Sequence, residues 1–208
     1  WRWLHKAALV VVALAFVHSL LVGPNLQNMG MKVYWIVLLA TAVLHFLFRN
    51  GYVPLLGRKR CRVAAVNRES HDTWTVSFEP EGNAQPIPHR PGQFWFLKLV
   101  RPGSRSEEHP FTISSSPSGE PPLTSTIKES GNFTDTIGQT KAGDPARVEG
   151  PFGRFSLCNY PADAFVFIAG GVGITPIMSM LRYLRDTRDP RPVLLIYGNR
   201  SQKDILFH

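Results

Sequence analysis

The 208-residue sequence predicts a membrane α-helical hairpin, then an antiparallel β-barrel, then the start of an α/β domain. Three observations predict it. Two long apolar stretches fill the first quarter. Short apolar runs cut by glycine, proline and charge fill the middle, and a strand, a glycine turn and a helix follow one another near the end.

Leu4–Gly23 and Met31–Phe48 each approach the ~20 residues that cross ~30 Å of hydrocarbon. Nothing comparably apolar elsewhere would cover them as core helices. A cleaved leader fits worse, because no small-residue cleavage site is present and a second apolar run follows at once. Residues 1–50 are therefore expected to form a transmembrane hairpin. Arg2 and Lys6 stand at the start of the first span, Arg49, Arg58, Lys59, Arg60 and Arg62 follow the second, and the loop Pro24–Gly30 carries no basic residue. The positive-inside rule then puts both ends of the hairpin, and everything after Arg58, in the cytoplasm, as part of an integral protein of a plasma or inner membrane. Residues 51–61 read as a basic linker. The net charge of +8 is ascribed to this topology and to membrane lipid; with no recognition motif or basic helix face, nucleic acid is not an expected partner. Without an initiator methionine, the chain is expected to begin inside a longer protein. Cys61 and Cys158 are isolated and are assigned no chemistry.

From residue 62 to 158 the runs CRVAAV, TWTVSF, FWFLKLV, FTISSS, LTSTIK and ARVEG read as short strands of a small antiparallel barrel. Residues 163–208 read as one β-α-β unit: strand AFVFIAGG, helix Pro176–Arg185, strand Pro192–Tyr197. An open sheet of this type needs more strands, so the domain is expected to be incomplete. Between strand and helix lies AGGVGITP. Gly170, Gly171 and Gly173 let backbone approach a ligand, Thr175 is placed to cap the helix and Pro176 suits its first turn. Free N–H groups and the helix dipole favour a phosphate there. A plain strand-to-helix turn explains the same residues.

Six motifs in order then carry a resemblance: Pro91-Gly92-Gln93-Phe94; His109-Pro110-Phe111-Thr112-Ile113-Ser114; Lys128 with Gly131 and Thr134; Gly150-Pro151-Phe152-Gly153; the turn Gly170–Pro176; and Tyr197-Gly198-Asn199-Arg200. They resemble the ferredoxin-NADP reductase superfamily, and with the preceding spans the HPFT form is similar to the NADPH oxidase and ferric reductase transmembrane family. The resemblance implies an FAD-binding barrel over 62–158 and an NADPH-binding α/β domain over 163–208. It implies FAD along His109, Pro110, Phe111, Thr112, Ile113 and Ser114, with Phe111 on the flavin and Thr112 at its reactive edge. Lys128, Gly131 and Thr134 would lie beneath the diphosphate. Many relatives carry arginine at His109, and histidine is the weaker, pH-dependent diphosphate partner. NADPH is implied at Gly170, Gly171, Gly173, Ile174, Thr175 and Pro176. Arg200 is suited to the 2′-phosphate, with NADH remaining possible. Each motif alone also reads as an ordinary strand, turn or loop.

The same resemblance makes residues 1–50 the last two helices of a haem-binding bundle, with His5 and His18 each ligating one of two b-type haems. The two histidines stand 13 positions apart, which spans ~20 Å along a helix but leaves the rings ~140° apart. An interfacial role for His5 is the alternative. His45 is expected to be structural, and His71, His89 and His208 show no metal-ligand spacing. Second axial ligands would come from transmembrane helices absent from this chain. The expected function is a membrane flavocytochrome moving electrons from NADPH through FAD and two haems to oxygen, giving superoxide, or to ferric chelates. Two other functions stay open: a membrane-tethered flavin reductase serving a protein partner, and a non-catalytic nucleotide-binding subunit.

Overall fold

The computed structural model describes residues 11, 13–19, 21, 28–48, 58–82, 87–100, 107–118 and 122–207. The chain divides into two compact units, Trp1–Leu56 and Gly57–His208.

In the first unit, helix α1 spans Met29–Leu47, and the Asn28 side chain caps it by accepting the Gly30 N–H at 2.9 Å. Its mean hydropathy is 1.7 and none of its 19 residues is buried. At 1.5 Å per residue it is about 28 Å long, enough by length and composition to cross a bilayer. Residues 13–19 are also helical, and Phe16 meets Trp35 of α1 edge-on at 5.2 Å. The ends of the expected first span lie outside the described residues.

In the second unit, β1 (Arg58–Arg68), β2 (Thr73–Pro80), β3 (Phe94–Leu99), β4 (Glu108–Thr112), β5 (Leu123–Lys128) and β6 (Pro145–Phe152) form one antiparallel sheet in the order β4-β3-β6-β1-β2-β5. The two edge strands meet just past β4. Ser114 N–H donates to the Thr124 carbonyl at 2.8 Å, and the Ser125 hydroxyl donates to the Thr112 carbonyl at 2.8 Å. The sheet thus curls into a half-barrel stitched at one end. β3 alternates outward Phe94, Phe96 and Lys98 with inward Trp95, Leu97 and Leu99, the period-two pattern of a strand with one face in a core. Trp95 is fully buried, edge-on to Phe78 at 5.6 Å, and its indole N–H donates to Ser125 Oγ at 2.9 Å, so its one polar atom is satisfied.

Two boundaries differ from expectation. Arg58, Lys59 and Arg60 belong to β1, where they pair with Glu149, Val148 and Arg147 of β6, rather than to a linker. The strand expected at FTISSS begins earlier and ends at Thr112. Beyond it, Ile113 and Ser114 bond to Gln93 and Thr124 on opposite sides, which bridges β3 to β5 and ends the pairing with β3.

Cys61 faces the barrel interior, and burial pushes its thiol up to about 11, whereas Cys158 is exposed. Brief treatment of the native chain with iodoacetamide is expected to label Cys158 and spare Cys61 until denaturant is added. Mass spectrometry showing two labels without denaturant would mean that the barrel opens around β1.

β7 (Phe165–Gly170) and β8 (Val193–Gly198) pair in parallel around helix α2 (Ile174–Asp186). Helix α2 starts two residues before Pro176 and follows a 3-10 turn at Gly171–Gly173. Ile174, Ile177, Met180 and Leu184 line one helical face and form a second core with Leu157, Phe167 and Leu206. On the strands, Val166, Ile168, Leu194 and Ile196 remain exposed.

Candidate functional site

The His109–Thr112 segment lies on edge strand β4, paired with Phe94–Leu97 of β3. Pro110 is exposed, while His109, Phe111 and Thr112 are half-buried. The His109 ring lies over Phe133 with centroids 4.3 Å apart, and Phe133 stacks with Phe111 at 6.1 Å and 22°. His109 Nε2 is 3.3 Å from Glu107 Oε2. Phe133 was not among the expected site residues; it falls inside the Lys128–Thr134 motif, and only the fold brings it across to β4.

Ile113 and Ser114, expected at the cofactor, are wholly buried in the barrel and support the strand from within. Ser114 Oγ lies 2.9 Å from Thr124 Oγ1 and 3.1 Å from Thr126 Oγ1; Thr126 Oγ1 lies 2.8 Å from Thr75 Oγ1, which donates to Glu69 Oε1 at 2.7 Å. A file of four hydroxyls ending on a carboxylate therefore crosses the barrel wall.

In the second expected FAD segment the polar groups are engaged within the protein. Lys128 Nζ pairs with Asp72 Oδ2 at 2.9 Å. Burial works to raise Asp72, but bonds from Lys128, Thr73 and Ser70 win and hold its carboxyl below the ordinary carboxylate value. Gly131 adopts φ +114°, which favours glycine, and its N–H donates to Asp135 Oδ1 at 2.8 Å. Thr134 Oγ1 accepts from Ser130 N–H at 2.8 Å. The turn is thus prebuilt by its own side chains, and a diphosphate there would face the Asp135 carboxylate.

At the glycine turn, Gly171 has φ +48°, and a Cβ placed at Gly170, Gly171 or Gly173 would meet nothing within 4 Å. This is open space against bare backbone. Tyr197 OH donates to the Gly171 carbonyl at 3.0 Å and ties the turn to β8. Thr175 does not cap the helix. Gly173 is the cap residue without a side-chain bond, and Thr175 and Ile174 are both buried inside the first turn. Pro176 is half-buried in that turn, and Arg200 is exposed just past β8.

The glycine turn and β4 are joined through α2. Ser179 Oγ donates to the Ser115 carbonyl at 2.7 Å and Arg182 Nη1 to the Ser114 carbonyl at 2.7 Å. A bond from Ser116, followed by one from Arg185, holds the Asp186 carboxyl below its ordinary value. Burial lowers the Arg182 guanidinium, and the Glu69 carboxylate opposes that shift. At Gly92, which Met180 of α2 approaches, an added Cβ would lie 2.3 Å from the Phe155 carbonyl oxygen and 2.4 Å from Met180 Cε. Ser179 and Arg182 were missed at sequence level, although their spacing of three puts them on one helical face.

Of the expected haem ligands, His18 is exposed on its helix and His5 lies outside the described residues. His45 borders a shallow recess with Thr41, Leu44, Leu47 and Phe48. Among the described residues there is no group of three His, Cys, Asp or Glu able to hold a metal ion.

A half-barrel followed by a β-α-β unit, with a glycine turn between that unit's first strand and its helix, is the ferredoxin-NADP reductase-like fold. Residues 60–157 match the oxidoreductase FAD-binding domain family and residues 167–208 the oxidoreductase NAD-binding domain family. The chain thus carries FAD-binding and NAD-binding oxidoreductase domains of the ferredoxin-NADP reductase superfamily. It is 38% identical over 157 residues to the glycine betaine monooxygenase reductase subunit of Pseudomonas aeruginosa (strain UCBPP-PA14), covering 73% of this chain and 42% of that protein. It is 30% identical over 154 residues to NADH oxidoreductase HCR of Escherichia coli (strain K12), covering 71% and 45%. The solved phthalate dioxygenase reductase, a modular structure for electron transfer from pyridine nucleotides to a 2Fe–2S centre, shares the fold with a TM-score of 0.65 at 24% identity, over 73% of this chain and 46% of that one. The chain spans less than half the length of these curated relatives. These relatives are reductases, not NADPH oxidases or ferric reductases, and none of the three names a haem, so the comparisons carry the wider superfamily only.

FAD fits the residues present. The exposed Pro110 and half-buried Phe111 and Thr112 offer an open strand edge, and the rings of His109 and Phe133 border it.

Proposed function

We propose that this chain is the flavin-reductase portion of an electron-transfer system, taking hydride from NADH or NADPH and passing electrons to a protein partner. The observation that carries this is the direct bonding of α2, which opens at the glycine turn, to the carbonyls that end the His109–Ser114 segment. A nucleotide at the turn and a flavin on β4 are then held by one connected piece of backbone. Reductase subunits among the relatives support a partner protein as acceptor.

A flavin bound there would accept two electrons together and release them singly. The protein binds and orients. Gly170, Gly171 and Gly173 give a phosphate access to backbone, and Arg200 offers a guanidinium to a 2′-phosphate, which favours NADPH. Thr112 and Phe111 would set the flavin edge and face, with His109 and Phe133 beside them. No side chain is assigned as general acid or base.

The test is the visible spectrum of the full chain titrated with FAD, then mixed anaerobically with NADH or NADPH. Uptake of flavin followed by bleaching of its band is the expected result; a chain that binds no flavin sinks the proposal.

Helix α1 favours a second reading. A 19-residue apolar helix with no buried residue is suited to lipid. On this reading the flavin domain would be carried on a membrane hairpin, with His5 and His18 among the residues that would hold two b-type haems, groups that would supply one-electron transfer toward oxygen or a ferric chelate. Low-spin haem bands in the detergent-extracted parent protein, reduced after the flavin, are its signature; their absence leaves the partner-protein reductase.

A further inference from the structure

We propose that Arg182 is a positioning residue, whose bond to the Ser114 carbonyl fixes the segment His109–Ser114 at a set distance from the turn Gly170–Gly173. The proposal rests on the reductase reading above and goes beyond it, since Arg182 lies in none of the motifs that carry the resemblance.

Ser114 is gripped from two sides. Its buried hydroxyl is held by Thr124 and Thr126 of β5, and its carbonyl by the guanidinium from α2 at 2.7 Å. Arg182 is itself fixed. Its guanidinium lies 5.0 Å over the Phe207 ring, and Phe207 adopts φ 63°, an outlier for a bulky residue that its surroundings must enforce. Arg182 stands nine positions after Gly173, so a helical rod of about 13 Å connects the turn to the bond. Met180, two residues before Arg182 on that rod, packs against Gly92. Removing the guanidinium leaves α2 bonded at Ser115 and Ser116 but releases its hold on the Ser114 carbonyl, the last residue of the segment. Lysine supplies a donor of similar reach but neither the flat stack on Phe207 nor the fixed fork.

The experiment compares the native full chain with R182A and R182K, each loaded with FAD and reduced anaerobically by saturating NADH or NADPH in a stopped-flow instrument. R182A is expected to lower the limiting rate of flavin reduction by at least about tenfold. The nucleotide Kd and FAD affinity should stay within about twofold of native, with R182K recovering part of the loss. In the flavin-free chain, backbone amides at 113–116 should exchange with deuterium at least about tenfold faster in R182A. A limiting rate within about twofold of native overturns the proposal, whatever the exchange shows. Should R182A not fold, R182K carries the same comparison, and a native limiting rate in it overturns the proposal. A native chain that binds FAD but is reduced by neither nucleotide overturns the reductase reading instead; exchange then decides the grip on Ser114, unchanged exchange in R182A overturning it and faster exchange supporting it.

Discussion

Replacing Gly92 with alanine is expected to lower the unfolding free energy of the Gly57–His208 unit by about 3 kcal/mol or more. Two effects add at this position. Gly92 has φ +91°, where an L side chain is strained, and the new Cβ would lie 2.3 Å from the Phe155 carbonyl oxygen. That oxygen is backbone and cannot swing aside as a side-chain tip would. Met180 Cε, 2.4 Å away on the other side, is flexible but sits in the second core at 2% exposure. Relief therefore requires moving the 91–94 turn, which is also held by Gln93 Nε2 donating to the Gly153 carbonyl at 3.0 Å. Urea unfolding followed by tryptophan fluorescence measures the effect, since Trp95 lies in the adjoining strand. A loss under about 1 kcal/mol would show that the turn and α2 separate easily, contrary to the close packing described.

The second large effect concerns the glycine turn. Gly171→Val is expected to slow flavin reduction by NADH or NADPH at least about 100-fold, with FAD uptake unchanged. A β-branched residue at φ +48° is strained, and its methyl groups would occupy space that is otherwise empty against the backbone. The strain also pulls on the Gly171 carbonyl that Tyr197 holds from β8. Because β4 and the barrel core lie outside this loop, flavin binding supplies the internal control. Reduction at the native rate in the valine variant would remove the turn from the nucleotide site.

Local pattern made much of the architecture legible. The run FWFLKL alternates so cleanly that β3 and its inward Trp95 follow from period two alone, and the glycine turn between an apolar strand and an amphipathic helix was visible without any tertiary information. Failures came where distant contacts decide the outcome. FTISSS has strand composition throughout, yet it leaves the sheet after Thr112 because Gln93 and Thr124, far apart in sequence, claim its next two N–H groups. Charge at Arg58–Arg60 looked like a linker because outward residues of an exposed strand are free to be basic. Thr175 has the right chemistry for a cap, but the glycines start the helix earlier, and the hydroxyl is carried inside. Phe133 and Arg182 reach the site across sequence gaps that no periodicity reports.

The hydroxyl file from Glu69 to Thr124 has a sense as well as a path. Each hydroxyl owns one proton. Thr75 gives its own to the Glu69 carboxylate, so Thr126 must donate to Thr75, Ser114 to Thr126 and Thr124 to Ser114. One carboxylate at the rim thereby orients four side chains on three different segments of the barrel. The file behaves as a single aligned dipole whose positive end points at the Glu69 carboxylate and whose negative end lies at Thr124, beside the backbone that closes the barrel.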